Sequence, residues 1–212
     1  LGMVAAYHPY SMTPETDEPG KNEVLLRGDQ LNSMLHGAGI KQVWATEWGW
    51  SSYAGPKEMQ DLIGIDGQAD YTLRRLALMA SQDYQKIFLF ALSDLDQRAS
   101  PRDQHYGLLN LDGEPKPVYT ALARFLEITG PTLKPGNTPQ LQDVPDSFYS
   151  VAWTRPDGKN LLMYWSAKGS SISLPGIKRA ELLDPLTGAR QTLSDDNGIR
   201  PAVKPSLQIL VW

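Results

Sequence analysis

The first 129 residues alternate between short apolar runs and amphipathic stretches, and this alternation limits the folds that the chain can adopt. β-prone runs cover residues 3–7, 42–46 and 86–92. After each run, apolar residues recur at the spacing of one helix face. Such repeated strand–loop–helix units predict a parallel sheet with right-handed crossovers. The three apolar faces are Leu31, Met34, Leu35 and Ala38; Leu73, Leu76, Ala77, Ala80 and Tyr84; and Val118, Ala121, Leu122, Phe125 and Leu126.

The loops after the three strands are longer than a compact barrel requires. The strand ends lie roughly 40 residues apart, against about 30 residues per unit in a typical (β/α)8 barrel. The extra length falls in polar loops at about 11–22, 51–67 and 93–106. Since barrel enzymes carry their chemistry on the loops that follow strands, these segments are the first place to look for functional residues.

A different pattern begins at Gly130. Residues 130–140 contain three prolines and two glycines and predict a linker. Beyond it, residues 148–154 and 161–165 alternate between apolar and polar positions around Pro156-Asp157-Gly158, which predicts a hairpin. Shorter strands are predicted at 171–174, 180–183 and 206–212, with a turn at 185–188. The domain prediction is a barrel part over 1–129, a linker over 130–140 and a sandwich-like antiparallel β domain over 141–212.

Composition narrows the classes of partner. The 20 basic and 24 acidic residues give a net charge of −4, which provides no basic surface for nucleic acid and favours a neutral ligand such as carbohydrate. Without cysteine, disulfides and Cys-ligated zinc are excluded. Asp94 and Asp96 lack further ligands at EF-hand spacing. We therefore expect neither a metal nor another cofactor.

Glu47 is the central candidate for chemistry. It follows the apolar run 43–46, so it is expected at the carboxyl end of a parallel strand. Retaining glycosidases need one such carboxylate as nucleophile and a second about 5–5.5 Å away as acid and base. A carboxylate that merely caps the next element is an equally good interpretation of this position. His8 and Tyr10 end the preceding strand and could donate to Glu47 or to a sugar, although an isolated His-Pro-Tyr more often only caps a strand.

Aromatic and charged residues near these strand ends are candidates for substrate binding. Trp48, Trp50 and Tyr53 follow Glu47 directly, and aromatic faces pack against the C–H faces of sugars. Each of these rings, taken singly, is better explained by packing in the core. The loop 93–106 carries Asp96, Gln97 and Arg98, which could orient hydroxyl groups, or could belong to a solvated loop of self-paired charges.

The order of four motifs resembles clan A glycoside hydrolases, specifically family 39, and among its members an endoglycosidase of a bacterial exopolysaccharide. The helix before the third strand, the Lys116-Pro117-Val118-Tyr119 segment and the turn at 184–188 fit the same pattern. Each motif is weak alone, but their order and spacing together are specific, and the likeness runs through the whole chain. The four motifs are His8-Pro9-Tyr10, Thr46-Glu47-Trp48-Gly49-Trp50, Phe90-Ala91-Leu92-Ser93-Asp94 and His105-Tyr106-Gly107-Leu108-Leu109.

The resemblance implies an α/β fold, namely the C-terminal part of a (β/α)8 TIM barrel with strands six to eight, followed by the small β domain. Glu47 would then be the nucleophile on the seventh strand, with His8 and Tyr10 at the end of the sixth. Asp96, Gln97 and Arg98 would line the substrate cleft, and Trp48 and Trp50, beside Glu47, complete the substrate-binding candidates. The tryptophan that many clan members carry on the eighth strand is replaced here by Phe88, Phe90 and Leu92.

The family's acid/base glutamate lies in an Asn-Glu-Pro segment on the fourth strand, and the 212 residues contain no such tripeptide. We therefore expect the N-terminal part of the same barrel as a partner, and residues 1–212 alone to be inactive. The predicted function is a retaining endo-β-glycosidase of exopolysaccharide, periplasmic or associated with the inner membrane of a Gram-negative bacterium. The alternatives are a non-catalytic polysaccharide-binding or assembly protein and an exo-acting hydrolase of the β-xylosidase type.

Overall fold

The computed structural model describes residues 2–15, 24–56 and 62–212. The predicted polar loops at 11–22 and 51–67 extend over residues 16–23 and 57–61, and these parts lie outside the described residues. The chain divides into two compact units, Leu1–Thr120 and Ala121–Trp212, and each is described separately.

The first unit is built on a parallel sheet of three strands. β1 (Val4–Tyr7), β2 (Gln42–Ala45) and β3 (Lys86–Ile87) lie in the order β1-β2-β3. Tyr7 pairs with Ala45, and Ala45 pairs with Ile87. Because all three strands run in the same direction in this register, their carboxyl ends lie side by side. This confirms the parallel sheet that the alternating sequence pattern predicts.

β3 is shorter than the predicted strand at 86–92. Beyond Ile87 the backbone still runs beside the segment that follows β2. Phe88 N donates to Ala45 O (2.8 Å), and Phe90 N donates to Trp48 O (2.8 Å). The two chains approach so closely that a Cβ atom at Gly49 would lie 2.4 Å from Phe90 O. This close approach replaces regular strand geometry with irregular pairing beside Glu47.

Among the described residues, the α-helices that lie wholly within the first unit are α1 (Val24–Gly37) and α2 (Gly64–Ala80). The sheet residues Val43 and Ala45 are fully buried, and Ala45 belongs to an apolar cluster with Met79 of α2. Apolar periodicity predicts α2 only from Leu73, because its first two turns are polar and rich in glycine. In α1, Asn32 is buried and Met34 is 70% exposed, so the buried face differs from the predicted one.

A short 3₁₀ helix (Asp103–His105) and a third α-helix, α3 (Pro117–Thr129), follow β3. Pro117 occupies the first helical position, as the sequence predicts. The buried residues of α3 are Val118, Ala121, Phe125, Ile128 and Thr129, whereas Leu126 of the predicted face is exposed. The division between the two units falls within this helix, after Thr120.

The second unit contains a six-stranded antiparallel sheet. The strands of this unit are β4 (Lys134–Pro135), β5 (Phe148–Thr154), β6 (Asn160–Ser166), β7 (Ser170–Ser171), β8 (Arg179–Leu183), β9 (Arg190–Ser194), β10 (Ala202–Val203) and β11 (Gln208–Val211). The order in the large sheet is β4-β5-β6-β11-β8-β9, and β10 pairs with β7 in a separate two-stranded sheet. The predicted hairpin is confirmed by the pairing of β5 with β6.

An apolar core lies between the large sheet and the segments around the β7–β10 pair. Leu162 and Leu210 from the sheet cluster with Ile172, Leu174 and Val203, all of them buried. The second layer of the predicted sandwich is therefore small and formed in part by loops. The sequence pattern does not predict three of these strands. β4 has two residues and lies within the predicted linker 130–140, β9 is polar and mostly exposed, and β10 has only two residues.

Candidate active site

Glu47 lies two residues beyond the end of β2, at the carboxyl edge of the parallel sheet. Its side chain is 34% exposed. The Tyr10 hydroxyl donates to Oε1 of Glu47 at 2.7 Å. Nδ1 of His8 lies 3.5 Å from Oε2, close enough for an ion pair when the imidazole is protonated. The structure thus brings together three of the predicted site residues from two adjacent strands.

Tyr10 provides a neutral hydrogen-bond donor to the carboxylate. Burial raises the pKa of the Tyr10 phenol above its ordinary value, and the hydrogen bond to Glu47 raises it further. The phenol therefore keeps its proton at neutral pH. The hydrogen bond fixes the orientation of the carboxylate, which a nucleophilic carboxylate needs.

Aromatic packing fixes Tyr10 from the side of the third strand. Its ring meets the edge of Tyr106 with centroids 6.2 Å apart and planes at 82°. Tyr106 is 5% exposed and also packs against Phe90, with centroids 5.4 Å apart. Segments that follow all three strands therefore meet around Glu47.

A buried arginine of α2 anchors the segment that carries Tyr10. Arg75 is 1% exposed, and its guanidinium donates to Pro9 O at 2.7 Å and to Pro14 O at 2.8 Å. The same group lies 5.8 Å from the centroid of the Trp50 ring. Since Pro9 precedes Tyr10 directly, this side chain restricts the position of the phenol that donates to Glu47.

A buried ion pair fixes the loop after β3. Lys116 Nζ donates to Asp94 Oδ1 (3.0 Å) and to His105 O (3.1 Å), and Gly107 N donates to the same carboxylate at 2.7 Å. Burial lowers the pKa of Lys116, although Asp94 opposes that shift. A Cβ atom at position 107 would lie 2.1 Å from the Asp94 nitrogen, so only glycine fits.

The candidate list from sequence includes neither Arg75 nor Lys116. Lys116 lies in a segment that carries the family resemblance, and this was the one signal available for it. Arg75 sits within an ordinary helical pattern, and nothing in the sequence sets it apart from Arg74.

Trp48 and Trp50 lie beside Glu47, and their predicted role in substrate binding stays a prediction, while their burial favours the alternative of packing in the core. Their exposed fractions are 1% and 2%, and both belong to the apolar cluster between the sheet and α2. Their rings meet edge to face with centroids 6.2 Å apart. With so little exposed surface, these rings support the strand end by packing.

Asp96, Gln97 and Arg98 lie on the loop after β3 and line a shallow depression together with Leu95, Gln104 and Leu111. The Arg98 guanidinium donates to both oxygens of Asp96, and the side chain of Arg98 is 88% exposed. Among the described residues, none of the three forms a hydrogen bond or ion pair with Glu47. The predicted role in the cleft stays a prediction, and the internal ion pair fits the self-paired alternative.

Two further findings concern the described residues as a whole. No group of three or more His, Asp or Glu side chains in them is arranged to hold a metal ion. None of their helices combines the length and the apolar character needed to cross a membrane.

Comparison with known proteins reveals relatives in structure but not in sequence. No protein-family profile matches the chain, and no curated protein sequence matches it. A family 39 glycoside hydrolase from the gut symbiont Bacteroides cellulosilyticus superposes with a TM-score of 0.73 at 21% identity, over 97% of this chain and 43% of that chain. The thermostable GH51 alpha-L-arabinofuranosidase from Thermotoga petrophila gives 0.59 at 15% identity, over 99% and 52%.

A third structure, the catalytic domain of GH30 xylanase C from Talaromyces cellulolyticus, gives a TM-score of 0.52 at 14% identity, over 87% of this chain and 48% of that chain. Identities this low show a shared fold. The chain thus has the mixed α/β architecture of glycoside hydrolases that combine a TIM barrel with an additional β domain. It spans about half the length of these relatives or less.

Proposed function

We propose that the chain carries the nucleophile of a retaining β-glycosidase that cleaves within a bacterial exopolysaccharide. The observation that supports this most is the position of Glu47. Its carboxylate stands at the carboxyl end of a parallel strand, is partly exposed and accepts a hydrogen bond from Tyr10. In barrels of this kind, that edge of the sheet is where catalytic residues lie.

In the proposed reaction, Glu47 attacks the anomeric carbon and forms a glycosyl ester. The bond to the leaving oxygen breaks, and a second carboxylic acid protonates that oxygen. The same group then takes a proton from water, which releases the sugar and regenerates Glu47, so that the configuration is retained. Tyr10 holds the carboxylate in line during attack and donates to it again as the ester breaks.

The second carboxylic acid is proposed to come from another segment of the barrel. The 212 residues contain no Asn-Glu-Pro segment of the kind that carries it in family 39. We therefore expect residues 1–212 alone to show no turnover, and activity to require the N-terminal part of the barrel. The assignment to family 39, the exopolysaccharide substrate and a periplasmic or inner-membrane location depend on the four ordered motifs.

Replacing the proposed nucleophile tests this function. In the complete natural protein, Glu47→Gln should reduce polysaccharide hydrolysis at least 1,000-fold, on the order expected when the reacting group itself is lost. Glu181→Gln, at an exposed position of β8, is the matched control and should hydrolyse at the wild-type rate. Full activity of the Glu47→Gln protein would exclude the mechanism.

The products and binding behaviour separate the alternatives. Release of oligosaccharides of several lengths supports endo cleavage, whereas release of single sugars from chain ends supports an exo-acting hydrolase of the β-xylosidase type. A wild-type protein that binds the polymer and never cleaves it would instead be a non-catalytic binding or assembly protein.

A further inference from the structure

The burial of Trp48 and Trp50 directs attention to another aromatic pair at the carboxyl edge of the sheet. Tyr53 follows β2 and His105 precedes Tyr106 in the loop after β3. Their rings lie nearly parallel, with centroids 6.0 Å apart and planes at 17°. The His105 side chain is 44% exposed, and Tyr53 is partly exposed. This pair therefore has aromatic surface that a ligand can reach.

The backbone carbonyl of His105, the last residue of the short 3₁₀ helix, is held by several hydrogen bonds. Its carbonyl oxygen accepts hydrogen bonds from Ser52 N (3.0 Å), Ser52 Oγ (3.2 Å), Gln68 Nε2 (3.2 Å) and Lys116 Nζ (3.1 Å). Gln68 and Lys116 are each 2% exposed. Fixing a binding residue in advance reduces the entropy that is lost when a ligand binds.

Tyr53 is held by hydrogen bonds of the neighbouring residue Ser51. Its backbone nitrogen donates to Ser51 Oγ at 3.1 Å, and that hydroxyl donates to Arg102 O at 2.6 Å. The segments after β2 and β3 are thus linked on both sides of the ring pair. Buried polar side chains therefore fix the backbone on which the partly exposed rings of Tyr53 and His105 stand.

Contacts along the chain connect this pair to the candidate nucleophile. His105 is followed by Tyr106, whose ring meets Tyr10, and Tyr10 donates to Glu47. Nδ1 of His105 lies 3.8 Å from Asp94 Oδ2, and this proximity favours one orientation of the imidazole. The ring pair and Glu47 therefore lie on the same edge of the sheet, as the neighbouring subsites of a polymer-cleaving enzyme must.

We propose that Tyr53 and His105 form a binding platform for a sugar ring of the polysaccharide, beside the point of cleavage. The C–H face of a pyranose packs against an aromatic face, while the phenol and imidazole edges can hydrogen-bond its hydroxyl groups. The position relative to the cleavage point depends on the proposed function, whereas the binding of a sugar ring does not.

The test measures binding without turnover. In the complete protein carrying Glu47→Gln, calorimetry gives the Kd for cello-, xylo-, manno- and laminarihexaose. For each glycan that binds, adding Tyr53→Ala or His105→Ala should weaken binding about tenfold, the magnitude of one aromatic contact. Tyr53→Phe keeps the ring face and should stay within about twofold of the parent. Tyr119→Ala removes a tyrosine that is 43% exposed elsewhere in the same unit, and should leave the Kd unchanged.

Equal Kd values for Tyr53→Ala and Tyr119→Ala would overturn the platform, as would a Tyr53→Phe protein as weak as Tyr53→Ala. Failure of all four hexasaccharides to bind would overturn it as well. Binding that depends on Tyr53, in a protein whose wild-type form never cleaves the bound glycan, would support the platform and reject the proposed function.

Discussion

The two units bury polar side chains for different purposes. In the first unit, buried Asn32, Gln68, Arg75 and Lys116 donate to backbone carbonyls that are distant in sequence, such as Pro9 O from Arg75 and Trp50 O from Gln68. In the second unit the core cluster is apolar, and donors from distant residues, such as Tyr164 to Ala202 O and Arg124 to Leu186 O, accompany the local contacts of its turns. Asp184 Oδ1, for example, accepts from the nitrogens of Leu186 and Thr187.

This difference follows from what each unit has to hold in place. A β domain is stabilised mainly by burying apolar area, and a side chain of a tight turn can satisfy the backbone nitrogens of that turn. Loops that carry a partly exposed carboxylate cannot be buried in the same way. In the first unit, buried side-chain donors bind the backbone carbonyls of these loops. Because the donors are buried, losing one reduces the free energy of unfolding substantially.

The largest expected effect comes from breaking the buried ion pair of the first unit. Lys116→Met leaves Asp94 largely buried without its cation and should reduce the free energy of unfolding by about 3–5 kcal/mol. Lys168→Met is the control, because its partner Asp146 and Lys168 itself are exposed by 88% and 69%. That exposed pair should contribute less than about 1 kcal/mol. Urea denaturation of the complete proteins measures the free energy of unfolding of both variants. An equal reduction in the two variants would contradict the comparison.

A smaller effect, confined to catalysis, is expected from the hydroxyl group that contacts Glu47. Tyr10→Phe removes a hydrogen bond to a charged group, which corresponds to about 1.5–3 kcal/mol or a roughly 10- to 150-fold lower kcat. Tyr164→Phe removes a buried hydroxyl of the second unit that donates to Ala202 O at 3.0 Å. It should cost about 1 kcal/mol of stability and leave kcat unchanged. Steady-state kinetics and urea denaturation distinguish the two, and an unchanged kcat in Tyr10→Phe would show that its hydroxyl does not support the carboxylate.

The smallest effect concerns alkaline pH. Burial raises the pKa of Tyr7, Tyr10 and Tyr84 in the first unit and of Tyr164 in the second. The unfolded chain then loses these protons at lower pH than the folded chain does, so stability falls as the pH rises above about 10. Tyr7→Phe should flatten this fall in unfolding measurements between pH 9 and about 11. A slope identical to that of the wild type would show that Tyr7 titrates normally.

The sequence predicts much of the fold because hydrophobic periodicity is a local property. It identifies the parallel strands, the β5–β6 hairpin and Pro117 at the start of a helix. It misses the first turns of α2, which are polar, and β9, which is short of apolar residues. The end of β3 was also overpredicted, since the close approach of Gly49 to Phe90 depends on tertiary structure.

For the candidate site too, the sequence predicts the residues that a local pattern marks and misses those that act through tertiary contacts. Glu47, His8 and Tyr10 could be found because each ends a recognisable strand. Arg75 and Lys116 act on carbonyls up to 66 residues away, and no sequence spacing reveals such contacts. Trp48 and Trp50 lie on the predicted segment, but whether a ring faces solvent or the core was not determined by its neighbours in sequence.

Covalent labelling of Glu47 tests the central claim most directly. The complete protein, incubated with an activated 2-deoxy-2-fluoro glycoside of the sugar that it cleaves, should lose activity with one label per molecule. Digestion and mass spectrometry should place that label on the peptide containing Glu47, and Glu47→Gln should take up none. A label on another residue, or normal turnover with no label at all, would contradict the account.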